Sequence, residues 1–297
     1  MSADGNLTGG ADPDGREHRE IADRRTSDES TRKGLHRRPV TGSRRRDRAG
    51  RPDNGGVPRS WPQDGGSRDH VVLRPELPAD VDPHELDQNV RKELLTLPKG
   101  LADLVGNHLV AAGRVLDDDP QLALAHARFA RSRASRLASV REAAGIAAYC
   151  AGEWSEALAE LRAARRLGGD PGRLALLADC ERALGRPERA LEIARSPEAK
   201  QLDIDEAVEL RIVAAGARRD LGQFDAAVVA LQGPDLDAAG TEQWRARLRY
   251  AYADNLQAAG REQEAIRWFL SAADADVEGA TDAAERAIEL SERPRPQ

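Results

Sequence analysis

The sequence predicts an all-α protein built from repeated helical hairpins and preceded by a long tail without regular structure. Three observations support this prediction. From residue 82 onward apolar residues recur three and four positions apart, and no segment alternates with period two. Glycine, proline and short acidic runs separate the helical stretches. A glycine-centred pattern also returns four times, at intervals of 33, 37 and 38 residues.

The tail differs from the rest of the chain in charge and composition. Residues 1–75 carry 16 Lys+Arg against 12 Asp+Glu, whereas residues 76–297 carry 29 against 39, so a basic tail precedes an acidic body. Clusters such as DNGGVPRSWPQDGG contain too little apolar surface to offset the entropy of ordering them. Residues 1–75 are therefore predicted to be disordered.

The helices follow in order from their start and stop signals. The first is expected at residues 83–96, because Asp82 can cap it, Pro83 suits the first helical position and Glu85 completes a capping box. The acidic run DDDP ends the second helix, and glycine or proline ends most of the later ones. These later helices are predicted at 99–116, 120–134, 137–151, 154–167, 172–184, 187–195, 204–221, 224–232, 241–259, 262–274 and 281–291.

The repeated pattern has a physical reason. Two antiparallel helices joined by a short turn must cross near that turn, and small side chains allow their backbones to approach closely. A glycine lets the turn adopt positive φ. The four glycines are Gly152, Gly185, Gly222 and Gly260; Ala157, Ala190, Ala227 and Ala265 follow them by five residues, and Gly145, Ala178, Ala215 and Ala253 precede them by seven.

This pattern resembles the tetratricopeptide repeat (TPR), a helix–turn–helix unit of about 34 residues that stacks into a right-handed superhelix, an α-solenoid. The resemblance is clearest over residues 137–275, and a degenerate copy with an enlarged turn covers 99–136. It implies one repeat domain over 76–297 with a capping helix at 281–291. The bulky residue usual near the start of the family's first helix is replaced in three copies, by Arg141, Arg211 and Arg249. The Ala/Arg/Gly-rich composition is also similar to that of actinobacterial TPR proteins.

The resemblance also implies a binding surface. The first helix of each pair would face a concave groove, lined by the positions ten, six and three before each turn glycine. The candidate groove residues are Glu142, Ile146, Tyr149, Asp179, Arg182, Ile212, Arg219, Tyr250 and Asp254. The tyrosines would anchor a peptide, and Arg182 and Arg219 would hold an acidic group. The alternative is that these residues are solvated or pack one repeat against the next.

The basic part of the tail is a second candidate surface. Residues 24–51 contain 11 Lys+Arg and 3 acidic residues, enough charge to attract phosphates in a salt-dependent way. The candidate contacts to nucleic acid or another anionic surface are Arg37, Arg38, Arg44, Arg45, Arg46 and Arg48. A solubilising tail, or one that lies against the acidic body, remains an alternative.

The sequence favours no catalytic or metal chemistry. HExxH, GxSxG, GxxxxGK[ST] and GxGxxG are absent, and Cys150 and Cys180 read as small buried thiols in helical stretches. We therefore expect no enzyme, cofactor or metal. Because no signal peptide or membrane span is recognisable, a cytoplasmic location is expected. The predicted function is a protein–protein interaction adaptor or scaffold; alternatives are an RNA- or ribosome-associated factor that uses the basic tail, and a self-associating scaffold.

Overall fold

The computed structural model describes residues 74–293 except 169–172, 239 and 241, and this part of the chain contains helices and no strand. The all-α prediction is confirmed there. The thirteen α-helices of the described residues are α1 Gln88–Leu94, α2 Lys99–Arg114, α3 Pro120–Ala134, α4 Ala138–Cys150, α5 Trp154–Arg166, α6 Leu174–Ala183, α7 Pro187–Ala194, α8 Ile204–Asp220, α9 Phe224–Leu231, α10 Pro234–Asp237, α11 Gln243–Ala258, α12 Glu262–Ala275 and α13 Ala283–Glu292. None of them is both long and apolar enough to cross a lipid bilayer.

The helices pack as consecutive hairpins. Helix α2 packs on α3, α4 on α5, α6 on α7, α8 on α9, and α11 on α12, while α13 packs on α12. The first helices of successive hairpins also touch: α2 contacts α4, α6 contacts α8, and α8 contacts α11. The main helix contacts of the described residues therefore join each hairpin to its neighbours along the chain.

The four turn glycines close their hairpins in the same way. Their φ angles lie between 74° and 79°. At the first turn, the Gly152 N–H donates to the Tyr149 carbonyl at 3.0 Å and the Glu153 N–H donates to the Ala148 carbonyl at 2.8 Å. This pair of bonds is the Schellman motif, which satisfies the last carbonyls of a helix. The same pair of bonds closes the turns at Gly185, Gly222 and Gly260.

The small residues lie at the helix crossings, as predicted. A Cβ atom on Gly145 would lie 2.7 Å from Cγ of Leu161, so α4 and α5 approach too closely for a side chain there. The seven alanines at the equivalent positions are fully buried: Ala157, Ala178, Ala190, Ala215, Ala227, Ala253 and Ala265. Close approach of the two backbones without voids therefore explains the small side chains at these positions.

The start of the folded part differs from the prediction of one helix over residues 83–96. Asp82 does form the capping box, but it caps a single 3₁₀ turn, Pro83–Glu85. Leu86 is then extended, and Asp87 caps α1 by accepting from the Asn89 N–H at 2.7 Å. Two competing N-caps five residues apart thus divide the predicted helix into two pieces.

The last described helix, α13, begins and ends within two residues of the helix predicted at 281–291. Its buried side is formed by Ala283, Ala287 and Leu290. Beneath it, the aromatic residues of the last hairpin contribute to the core: Tyr252 is buried and meets the ring of Trp268 edge to face at 5.1 Å. The aromatic cluster of this hairpin is therefore part of the interior.

Candidate functional site

The nine candidate groove residues lie on the first helices of four successive hairpins, α4, α6, α8 and α11, and all nine are half-buried. We call this set the first-helix face. The contacts between these helices place its members side by side. Their positions relative to the turn glycines determine which side chains meet.

One contact recurs along the first-helix face. The residue three before a turn glycine packs over the residue six before the next turn glycine. In the first instance Tyr149 donates its hydroxyl to Oδ2 of Asp179 at 2.6 Å. The ring of Tyr149 is also held edge to face against Trp154, at 5.3 Å between centroids. Tyr149 is therefore fixed on both its polar and its apolar side.

The second instance uses a glycine. Arg182 crosses Gly216 so closely that a Cβ atom there would lie 2.6 Å from its Cζ atom. Beyond this glycine the Arg182 Nε donates to Oδ2 of Asp220 at 2.8 Å, and Nη1 donates to Oδ1 of Asp179 at 2.7 Å. Arg182 thus links the carboxylates of two successive first helices.

The third instance joins α8 to α11, where Arg219 donates through Nη1 to Oδ2 of Asp254. The other oxygen of Asp254 accepts from Nη2 of Arg286 at 3.0 Å. Gln257, three residues before the last of the four turn glycines, contacts α13 instead: its amide oxygen accepts from the same nitrogen of Arg286 at 2.5 Å. Helix α13 therefore takes part in the same series of contacts through Arg286.

The remaining polar members are held as well. Tyr250 donates its hydroxyl to Oδ1 of Asp282 at 2.7 Å and accepts from Nη1 of Arg286 at 3.1 Å. Glu142 accepts from Nε of Arg173 at 2.7 Å. All seven polar candidates thus have a partner in another helix or in the segment beside it.

Burial and pairing shift several pKa values on this face. Burial, together with the adjacent carboxylate of Asp179, raises the pKa of Tyr149 well above its ordinary value. Burial and the hydrogen bond to Asp282 raise that of Tyr250. Burial opposes the charge of Arg182, but its bonds to Asp220 and Asp179 outweigh this, so its pKa is raised. Both phenols stay neutral and the guanidinium stays charged at physiological pH.

The geometry agrees with the alternative that the polar candidates pack one repeat against the next. Only Ile146 and Ile212 lack a polar role, and both are half-buried on this face. Sequence reasoning missed Asp220, Asp282 and Arg286 as members of the network. The one available signal was spacing: Arg286 follows Tyr250 by 36 residues and Asp254 by 32, close to the repeat period.

A buried histidine pair was also missed. His108 and His126 lie on α2 and α3, and their Nδ1 atoms are 2.9 Å apart, so one ring donates to the other. Burial lowers the pKa of both, that of His108 to about 4, and His108 packs on the ring of Phe129 at 4.3 Å. The described residues contain no group of three or more potential metal ligands. The pair is thus a neutral part of the first hairpin's interior.

The two cysteines have different surroundings. Cys180 is buried, and burial raises its pKa to about 12, whereas Cys150 is half-buried.

The six candidate arginines of the tail lie outside the described residues: Arg37, Arg38, Arg44, Arg45, Arg46 and Arg48. In the comparisons with known proteins, no family model and no curated protein matches this chain.

Proposed function

We propose that this chain is a non-enzymatic adaptor of the cytoplasm, a TPR-like α-solenoid whose first helices line a concave groove. The groove would hold a segment of a partner protein and so bring proteins together. The observation that carries the proposal is the recurrence of one turn and one inter-hairpin contact along the chain. When each unit contacts the next in the same way, stacking generates a superhelix with a continuous binding surface.

The contacts on the first-helix face determine what such a groove would recognise. Its charges are paired within the molecule, so a partner that takes them would have to break an existing ion pair. The half-buried side chains of Ile146 and Ile212 have no such cost and offer apolar contact. We therefore propose that a partner segment inserts apolar side chains along this face, while the paired arginines and carboxylates hold the shape of the groove.

The proposal is tested by photo-cross-linking in cells that express the full chain. A benzoylphenylalanine residue replaces Ile146 or Ile212 on the first-helix face, and Ala159 on the exposed side of α5 serves as the matched control. We expect both face positions to cross-link to the same segment of one protein and the control position to miss it. Identical products at all three positions would refute the proposed groove.

A second function is supported by the charge of the tail. Residues 24–51 carry a net charge of +8, which would attract RNA or the ribosome at low salt. Nuclease treatment before capture of the full chain separates the two functions. Partners that stay bound after nuclease treatment and in high salt would be held by the groove. Partners that each of the two treatments releases would be held by the tail.

A further inference from the structure

The second helices in the middle of the array are short. Helices α7 and α9 have 8 residues each, whereas α5 has 13 and α12 has 14. Proline follows each short helix within three residues, as Pro197 and Pro234, and neither helix continues past that point. Helix α8, with 17 residues, is longer than both helices that flank it. One side of α8 is therefore left partly uncovered.

An apolar cleft of about 360 Å³ lies at this place. That volume is at the lower end of the ~300–1,000 Å³ usual for ligand pockets. Its floor consists of small aliphatic side chains from three helices: Leu191, Ala194, Ala207, Leu210, Ala214 and Ala230. Because most of these side chains are methyl groups, the cleft has room for one large apolar side chain from outside.

Three arginines surround this floor. Arg211 is held by Asp235, with Nη1 2.7 Å from Oδ2. Arg195 and Arg218 also line the cleft, and their guanidinium groups have no acidic or hydrogen-bonding partner among the described residues. Arg211 and Arg218 are seven residues apart on one side of α8, which separates them by about 10 Å along the helix.

The cleft and the first-helix face lie on different sides of α8. The cleft uses Ala207, Leu210, Arg211, Ala214 and Arg218, which recur at spacings of three and four. Each residue turns the helix by about 100°, so Ile212 and Arg219 of the first-helix face point more than about 100° away from the mean direction of these five cleft residues around the axis of α8. Occupation of one site therefore leaves the other accessible.

We propose that this cleft binds an acidic peptide segment of a partner protein. One aliphatic or aromatic side chain of the segment fills the apolar floor, and carboxylates that flank this side chain pair with Arg195 and Arg218. The assignment depends on one observation: Arg195 and Arg218, which have no acidic partner among the described residues, lie beside an apolar floor. The site does not depend on the proposed groove, and together the two sites would let one chain hold two partners.

The test uses the full chain and a phage-displayed library of random short peptides. We expect the selected peptides to be acidic and to contain a large apolar residue. A synthetic copy of the best peptide is then measured by fluorescence anisotropy. Ala230→Leu, which fills the cleft, should weaken its binding about tenfold or more. Arg195→Gln combined with Arg218→Gln should weaken it about fivefold or more.

Two matched variants control for general effects. Ala159→Leu repeats the alanine-to-leucine change, and Arg166→Gln repeats the arginine-to-glutamine change once, at exposed positions of α5; both should leave the affinity unchanged. Circular dichroism checks that every variant is folded, and the arginine variants test the site independently because they break no ion pair or hydrogen bond of the described residues. Selected peptides without acidic residues, or equal affinity in all variants, would overturn the proposal. So would a dimer of the free chain that Ala230→Leu dissociates, since a second copy would then occupy the cleft.

Discussion

Gly145 offers the sharpest test of why small residues occur at the hairpin crossings. Gly145→Ala adds one methyl group where α4 meets α5. That methyl would lie 2.7 Å from Cγ and 2.9 Å from Cδ2 of Leu161, and 3.1 Å from its backbone nitrogen. Leu161 is itself 2% exposed, so it has little room to move. We expect the two helices to be forced apart.

The magnitude follows from two opposing terms. Overpacking a well-packed core by a methyl group costs about 1–3 kcal/mol. Replacing glycine by alanine inside a helix gains about 1 kcal/mol. Gly113→Ala, near the end of α2, makes the same change with no atom within 4 Å of the new methyl group. Gly113 is the last but one residue of α2, so its helical gain is no larger than that at Gly145. Gly145→Ala should therefore be less stable than Gly113→Ala by about 1–3 kcal/mol minus the difference between the two helical gains, which is under about 1 kcal/mol.

The assay is urea unfolding of the full chain, followed by circular dichroism at 222 nm as the helical signal. Combining Gly145→Ala with Leu161→Ala should lose less stability than the sum of the single losses, because the shortened side chain leaves space for the methyl group. Equal midpoints for Gly145→Ala and Gly113→Ala would refute the reasoning, and so would strict additivity in the double variant.

Three further predictions concern an ion pair, a buried histidine and the two cysteines. Asp254→Asn should lower the free energy of unfolding by about 1–3 kcal/mol in urea unfolding, because the half-buried Arg219 and Arg286 lose their anion. Arg189→Gln, which breaks an exposed pair, should lower it by less than about 0.5 kcal/mol. Equal losses in the two variants would contradict this prediction. The pKa of His108 is lowered from 6.5 to about 4 in the folded chain. Between these two pH values His108 is protonated in the unfolded chain but not in the folded chain, so the free energy of unfolding should fall as the pH drops from about 6.5 to about 4, by up to about 1.4 kcal/mol per pH unit. His108→Phe should flatten that slope, and an unchanged slope would exclude this origin. In thiol titration at mildly alkaline pH, Cys150 should react in the folded chain and Cys180 only after unfolding; equal rates would contradict the burial of Cys180.

The hairpins were predictable because the turns and crossings that form them require particular residue types. A turn in the left-handed region needs glycine, and a close crossing needs glycine or alanine, so both features are visible as residue types at fixed spacing. The break at Leu86 was not visible in the same way. Asp82 and Asp87 are both good N-caps, and residue types alone do not rank one cap above the other.

The pairing on the first-helix face was beyond sequence reasoning for a different reason. Offsets from the turn glycine identify which residues share this face, but the lateral shift between two hairpins decides which residues meet. At Arg182 that shift is set by Gly216, whose missing side chain lets the guanidinium pass over the helix to Asp220. The network therefore depends on tertiary geometry that no single repeat encodes.

The same pairing has a consequence for how the two proposed sites respond to salt. A shift between neighbouring hairpins would separate these half-buried ion pairs and leave charges without a partner, which is costly. The pairs therefore stabilise one register of the hairpins. A groove whose charges are paired internally selects its partner by shape and apolar contact, which salt affects little. Arg195 and Arg218 have no such internal pairing among the described residues, and their attraction for an acidic segment is screened by salt. Raising the ionic strength should therefore release a partner from the cleft before it releases one from the first-helix face.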